Sequence, residues 1–194
     1  IWSVVRPPLV GLDTDATGRL VADLTAVDFS IDFQGSLGGI MAVEGRYKDL
    51  NARVLAIADG ETDLISLMAT TVCELYHADD RLDLVGFYRN VGDNMLKIGP
   101  YQGGHGCLVI PFSRGVCGAC ATTGQVQMVP DVDAFPDHIA CASSTRSELV
   151  LPVWNAKGEL IAVLVIDSDQ PDAFDVEDIA SLETLMRDLF SRAQ

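Results

Sequence analysis

Four of the chain's five cysteines, Cys107, Cys117, Cys120 and Cys141, fall between Gly103 and Pro152, together with His105, His138 and Glu148. Cysteine this dense in a loop-rich stretch points to thiol chemistry, in which the thiolate is the nucleophile or the ligand. Three chemistries fit the residue types. In a zinc site, Cys117-Gly118-Ala119-Cys120 would supply ligand spacing, completed by Cys107, Cys141 or His138. In a thioredoxin-like couple, Cys117 and Cys120 would cycle between dithiol and disulfide, although that motif normally follows the first strand of a βαβ unit and here follows an antiparallel pattern. In the third, one cysteine attacks a substrate and a distant one resolves it. Cys141 suits that role. It lies in a long loop after Pro136, with His138 three residues before it, Glu148 seven after it, and Ser143, Ser144 and Ser147 as nearby donors.

The surrounding elements must position these groups. Val27, Phe29, Ile31 and Phe33 alternate with Asp28, Ser30 and Asp32, which predicts a strand over 26–33 in an N-terminal extension of residues 1–46. From Tyr47 the spacing turns helical. Leu50, Val54, Leu55 and Ile57 mark one helix, and Leu64, Leu67, Met68, Val72 and Leu75 a second begun by Thr62 or Asp63. Cys73, inside the second, is read as a buried small hydrophobe. Strands follow over 82–90, 95–98 and 107–111, with a loop over 99–106. A short helix from Gly115 to Ala121, a strand over 125–129 and a long connection over 130–144 come next. Two apolar strands over 148–154 and 160–167 flank the turn Asn155-Ala156-Lys157-Gly158. Asp175 and Asp178 form a capping box before the last helix. Helices at both ends and about six strands between them make residues 47–194 one α+β domain. Its mostly antiparallel sheet carries the terminal helices on one face and the active-site loops on the other.

Composition bounds the partners. Hydrophobic residues make up 48 % of 194, enough for a core, and the net charge is −15. Such a chain lacks the cations that displace counterions from nucleic acid or dock on an anionic membrane. No apolar run reaches membrane-helix length, and residues 1–10 carry no signal-peptide order. The chain is therefore read as cytoplasmic, where paired cysteines tend to be redox-active.

Residues 47–194 resemble the free methionine-(R)-sulfoxide reductases, a GAF-domain family. The resemblance rests on Tyr47-Lys48-Asp49-Leu50-Asn51, Gly86-Phe87-Tyr88, Gly99-Pro100-Tyr101-Gln102-Gly103, Arg114-Gly115-Val116-Cys117-Gly118, His138-Ile139-Ala140-Cys141 and Ser147-Glu148-Leu149-Val150-Leu151-Pro152. The ten residues from Cys107 to Cys117 and the 24 from Cys117 to Cys141 also fit. The resemblance implies reduction of free L-methionine (R)-S-oxide. Cys141 would attack the sulfoxide and become a sulfenic acid, and Cys107 would resolve it as a disulfide, with Cys117 as a relay. Thioredoxin would restore the thiols, and no bound cofactor or metal is implied. Glu148 and Asp167 would bind the substrate and supply the acid, and Tyr88 would face its methyl-thioether end. A homodimer is the implied assembly.

The chain departs from the family pattern at Val165, where Asp is usual, at Ala142, also commonly Asp, at Leu84, often Trp, and in the extra Cys120. Val165 and Ala142 are what favour the alternative, a non-catalytic GAF module that binds a small molecule or senses redox state. Each site residue also has a plainer reading. Glu148 would be a solvated strand end, Asp167 a turn cap, Tyr88 a core aromatic, Cys120 a buried small residue and His105 a loop residue.

Overall fold

The computed structural model describes residues 13–14, 20–21, 47–139 and 141–191. Two compact units emerge, Ile1–Leu37 and Gly38–Gln194. In the first, β1 (Asp13–Thr14) pairs antiparallel with β2 (Leu20–Val21). The strand expected over 26–33 lies outside the described residues.

The second unit is built on six antiparallel strands: β3 (Leu84–Asn90), β4 (Met95–Gly103), β5 (Val109–Pro111), β6 (Gln127–Val129), β7 (Ser147–Trp154) and β8 (Leu160–Ser168). Their order across the sheet is β5-β4-β3-β8-β7-β6. The α+β expectation is met. β4 is longer than expected, because Leu84, Val85 and Gly86 pair with Gly103, Gln102 and Tyr101 beyond an irregularity in the ladder. The stretch read as a loop from Gly99 is therefore strand as far as Gly103.

Side chains alternate across a strand, so each of the central strands serves two cores. Val85, Phe87, Leu149, Leu151, Ala162, Leu164 and Ile166 face three helices: α1 (Lys48–Ile57), α2 (Leu64–Ala78) and α4 (Val176–Phe190). Leu84, Tyr88, Val150, Val163 and Val165 face the other way, toward α3 (Gly115–Thr123) and the loops. Burial on both faces is why β7 and β8 read as continuous apolar runs rather than as alternating ones.

Local chemistry sets the helix ends. The Asp63 carboxylate accepts the Ser66 N–H at 2.8 Å and starts α2. Asp175 and Asp178 cap α4 reciprocally, as expected. α3 stops where Gly124 turns left-handed at φ 64° and donates its N–H to the Cys120 carbonyl at 2.8 Å. Arg81 ties the helical layer together, reaching Asp79 at 2.6 Å and Asp178 at 3.0 Å, while the Tyr47 hydroxyl donates to Asp79. Cys73 corrects the sequence reading. It lies on the solvent side of α2, because Leu67, Met68, Val72 and Leu75 fill the buried face.

Candidate active site

The site lies on the sheet face opposite the helical layer. Glu148 and Asp167 are register partners in the β7–β8 ladder and project to the same side as Leu84, Tyr88 and Val165. α3 roofs them. Its backbone passes close to the end of β5, where a Cβ on Gly118 would stand 2.6 Å from the Pro111 carbonyl oxygen. This close approach lowers Cys117 into the pocket, and its Sγ–H donates to Glu148 Oε1 at 3.6 Å. The loop over 130–146 closes the remaining side with His138, Ile139, Cys141 and Thr145.

Cys107 and Cys141 are joined as a disulfide, with their Cα atoms 5.2 Å apart across 34 residues. Cys107 lies in the loop before β5, which begins at Val109 and not at residue 107 as expected. Gly106 lets this loop approach the pocket, since a Cβ there would stand 3.0 Å from Ile98 and 3.1 Å from the Tyr88 hydroxyl. In this disulfide-bonded state the pocket encloses about 30 Å³ of free space, room for about one water molecule.

Burial dominates the electrostatics. Glu148 is 7 % exposed, and burial, reinforced by the neighbouring Asp167 charge, pushes its carboxyl well above the usual range despite the Cys117 hydrogen bond. Burial also raises Asp167 to about 7, opposed by the Thr145 hydroxyl, which donates to Oδ2 at 3.3 Å. Asp167 lines the cavity, and its Oδ1 is buried with no hydrogen-bond partner among the described residues. Burial pushes the Cys117 thiol far up, with Glu148 and Asp167 adding to it, so it stays a neutral donor. His138 Nε2 stands 3.8 Å from Glu148 Oε2. The pocket thus offers a proton donor, an unpartnered acceptor, an apolar wall and a sulfur that can be uncovered.

A GAF-domain family model matches residues 58–189. The free methionine-R-sulfoxide reductase of Escherichia coli (strain K12) is 40 % identical over 143 residues, spanning 74 % of this chain and 86 % of that one. The chain belongs to the free methionine-R-sulfoxide reductase family of GAF domains. The enzyme of that name from Saccharomyces cerevisiae is 35 % identical over 137 residues, 68 % of this chain and 76 % of that one. The free methionine-R-sulfoxide reductase of Neisseria meningitidis, solved in complex with its substrate, superposes with a TM-score of 0.71 at 38 % identity, covering 75 % of this chain and 87 % of that one.

Within this family fold, the residues singled out from sequence converge. Cys107, Cys117, Cys141, Glu148, Asp167 and Tyr88 meet around one pocket. The plain reading of Glu148 as a solvated end does not hold, for it is buried, and Asp167 is not a turn cap, for its Oδ2 accepts from Thr145 and its Oδ1 from no described residue. Tyr88 is both core and pocket, 2 % exposed with its ring lining the cavity. Cys120 is fully buried in α3 and His105 is exposed, as the plainer readings had it. The zinc alternative loses two donors to the disulfide, and Cys117 and Cys120 both remain free thiols rather than a bonded couple.

Two of the three serines offered as donors point elsewhere. Ser144 donates to Asp83 and Ser147 to the Gln170 carbonyl. Thr145, which the sequence reading passed over, is the hydroxyl that reaches the pocket. A single polar residue in a run of four gives no sign of its direction until the loop is placed.

Proposed function

We propose that this chain reduces free L-methionine (R)-S-oxide to L-methionine, with Cys141 as the nucleophile, Cys107 as the resolving thiol and thioredoxin as the reductant. One observation carries this reading: the Cys107–Cys141 disulfide closes directly over a pocket whose floor is two buried carboxyls. A disulfide there is the product that such a cycle would leave.

In the reduced enzyme, the Cys141 sulfur attacks the sulfoxide and Glu148 protonates its oxygen, because oxide is a very poor leaving group. A carboxyl held protonated by burial suits that task. The protonated oxygen passes from the methionine sulfur to the Cys141 sulfur. The methionine S–O bond breaks as the O–S bond to Cys141 forms, the Cys141 thiol proton goes to solvent, and methionine departs to leave Cys141 as the sulfenic acid. The Cys107 thiol then displaces the oxygen as water, forming the disulfide. A thioredoxin dithiol opens that bond by exchange and is itself oxidised, so no bound cofactor enters the scheme. The unpartnered Asp167 Oδ1 takes the substrate ammonium, whose charge favours the ionised carboxyl. Tyr88, Leu84 and Val165 receive the methyl-thioether end. Cys117 holds Glu148 in place through its hydrogen bond.

The test is turnover of each free sulfoxide epimer with thioredoxin, its reductase and NADPH. Consumption of the R epimer alone, abolished by Cys141→Ser, is expected. No turnover of the R epimer, or turnover that survives Cys141→Ser, overturns the reading. Light scattering on the same protein would report the homodimer that the family resemblance implies.

A further inference from the structure

We propose that His138 returns a proton to Glu148 after each sulfoxide is reduced, so that the loop carrying Cys141 also carries the proton supply. This inference rests on the function proposed above, in which Glu148 gives up its proton once per turnover.

The two Glu148 oxygens have different neighbours. Oε1 accepts the Cys117 thiol, and Oε2 faces the His138 imidazole at 3.8 Å. After reaction, Glu148 is a buried carboxylate beside Asp167, an arrangement that burial and like charge both disfavour. Every titratable group around it presents a different obstacle to reprotonation. Cys117, from α3, would be left as a buried thiolate. Tyr88, from β3, is a buried phenol held above its usual range. Asp167, from β8, competes for the same proton and is itself near Asp83. His138 differs from all three. Its side chain keeps 16 % of its surface exposed while Nε2 stands 3.8 Å from the carboxylate, so it alone of the four combines solvent contact with a donor nitrogen beside Glu148. A separation of 3.8 Å closes to transfer distance with a small ring movement or one bridging water.

The step balances. The Nε2–H bond of the imidazolium breaks and an O–H bond forms on Glu148 Oε2, leaving neutral imidazole. The ring then takes a proton from water. The Cys141 thiol proton released on attack is matched by the proton that enters through His138. The sulfoxide oxygen ends as the hydroxyl of the sulfenic acid.

The experiment compares His138→Ala and His138→Gln with wild type at pH 8, with dithiothreitol in excess so that disulfide reduction is not limiting. Methionine is measured in the first turnover and at steady state. The proposed function starts each turnover with a protonated Glu148, so the first turnover should stay within about twofold of wild type. Steady-state kcat should fall by about 100-fold with little change in KM, and added imidazole should restore much of it to His138→Ala. A merely structural role would slow the first turnover equally and would not respond to imidazole. Either result, or an undiminished steady state, overturns the inference. If His138→Ala does not fold, the ratio of first to later turnovers in His138→Gln decides. No methionine from wild type would instead overturn the proposed function, and this inference with it.

Discussion

Glu148 and Asp167 sit directly opposite one another in the β7–β8 ladder, two buried carboxyls on one face of the sheet. Cross-strand partners place their Cβ atoms about 5 Å apart. At that spacing, and buried, two ionised carboxylates repel strongly, so the pair holds a proton at a pH where isolated carboxyls hold none. That retained proton is the acid of the proposed reaction.

Replacing Glu148 with Gln keeps the shape and the Cys117 contact but removes the acid. The expected loss in kcat for free methionine sulfoxide is about 10²- to 10⁴-fold. Steady-state methionine formation measures it, and circular dichroism confirms that the fold is kept. Activity within a few-fold of wild type would remove Glu148 from the chemistry.

Asp167 gives the protein a defined pH dependence of stability. Its carboxyl titrates near 3.8 unfolded and at about 7 folded. Between those values the folded state binds more protons, so its contribution to stability is complete at low pH and is lost as pH rises through about 7. The size is a few kcal/mol. Urea unfolding from pH 4 to 8 should show Asp167→Asn gaining on wild type as pH rises. A constant difference across that range would contradict the assignment.

The two disulfide partners should fail differently. Cys141→Ser is expected to release no methionine. Cys107→Ser should release about one equivalent per site and then stall, leaving a sulfenic acid that dimedone labels by mass spectrometry. Sustained thioredoxin-dependent turnover by Cys107→Ser would mean that another thiol, Cys117 first, resolves the intermediate.

Gly118→Ala tests the packing that sets Cys117 over Glu148. In an open helix this change gains up to about 1 kcal/mol. Here the new Cβ would stand 2.6 Å and 2.8 Å from the carbonyl oxygens of Pro111 and Phe112. These are backbone atoms with little room to yield, so the clash wins and about 1–3 kcal/mol of stability is lost. The shift in urea midpoint reports it, and an unchanged midpoint would show that α3 can ride away from β5.

Arg81→Ala should cost about 3 kcal/mol, because Asp178 at the start of α4 is fully buried and Arg81 reaches it at 3.0 Å. The loss should appear in thermal unfolding, with α1, α2 and α4 loosening on the face away from the active site. An unchanged melting temperature would place Asp178 in other hands.

Much of this was legible before any coordinates. Helix spacing in 64–75, the Asp175–Asp178 box and the apolar runs at 148–154 and 160–167 each declare a local structure through a local rule. The spacing of Cys107, Cys117 and Cys141 within family motifs named the site residues. Cys73 misled because helical periodicity tolerates one position of error at the edge of an apolar stripe. The extension of β4 to Gly103 was missed because its Gly- and Pro-containing tail earns its strand geometry from pairing with β3.

The sequence by itself determined which elements form and which residue types are at hand: thiols, carboxyls, a histidine and an apolar wall. Tertiary structure alone decided that Cys107 and Cys141 meet across 34 residues, that Thr145 rather than a serine faces the pocket, and that Glu148 touches both Cys117 and His138. The physical reason is register. Helix caps and periodicity are set by neighbours in the chain. Whether Glu148 and Asp167 share a proton depends on how β7 slides against β8, and a shift of one residue would send the two to opposite faces.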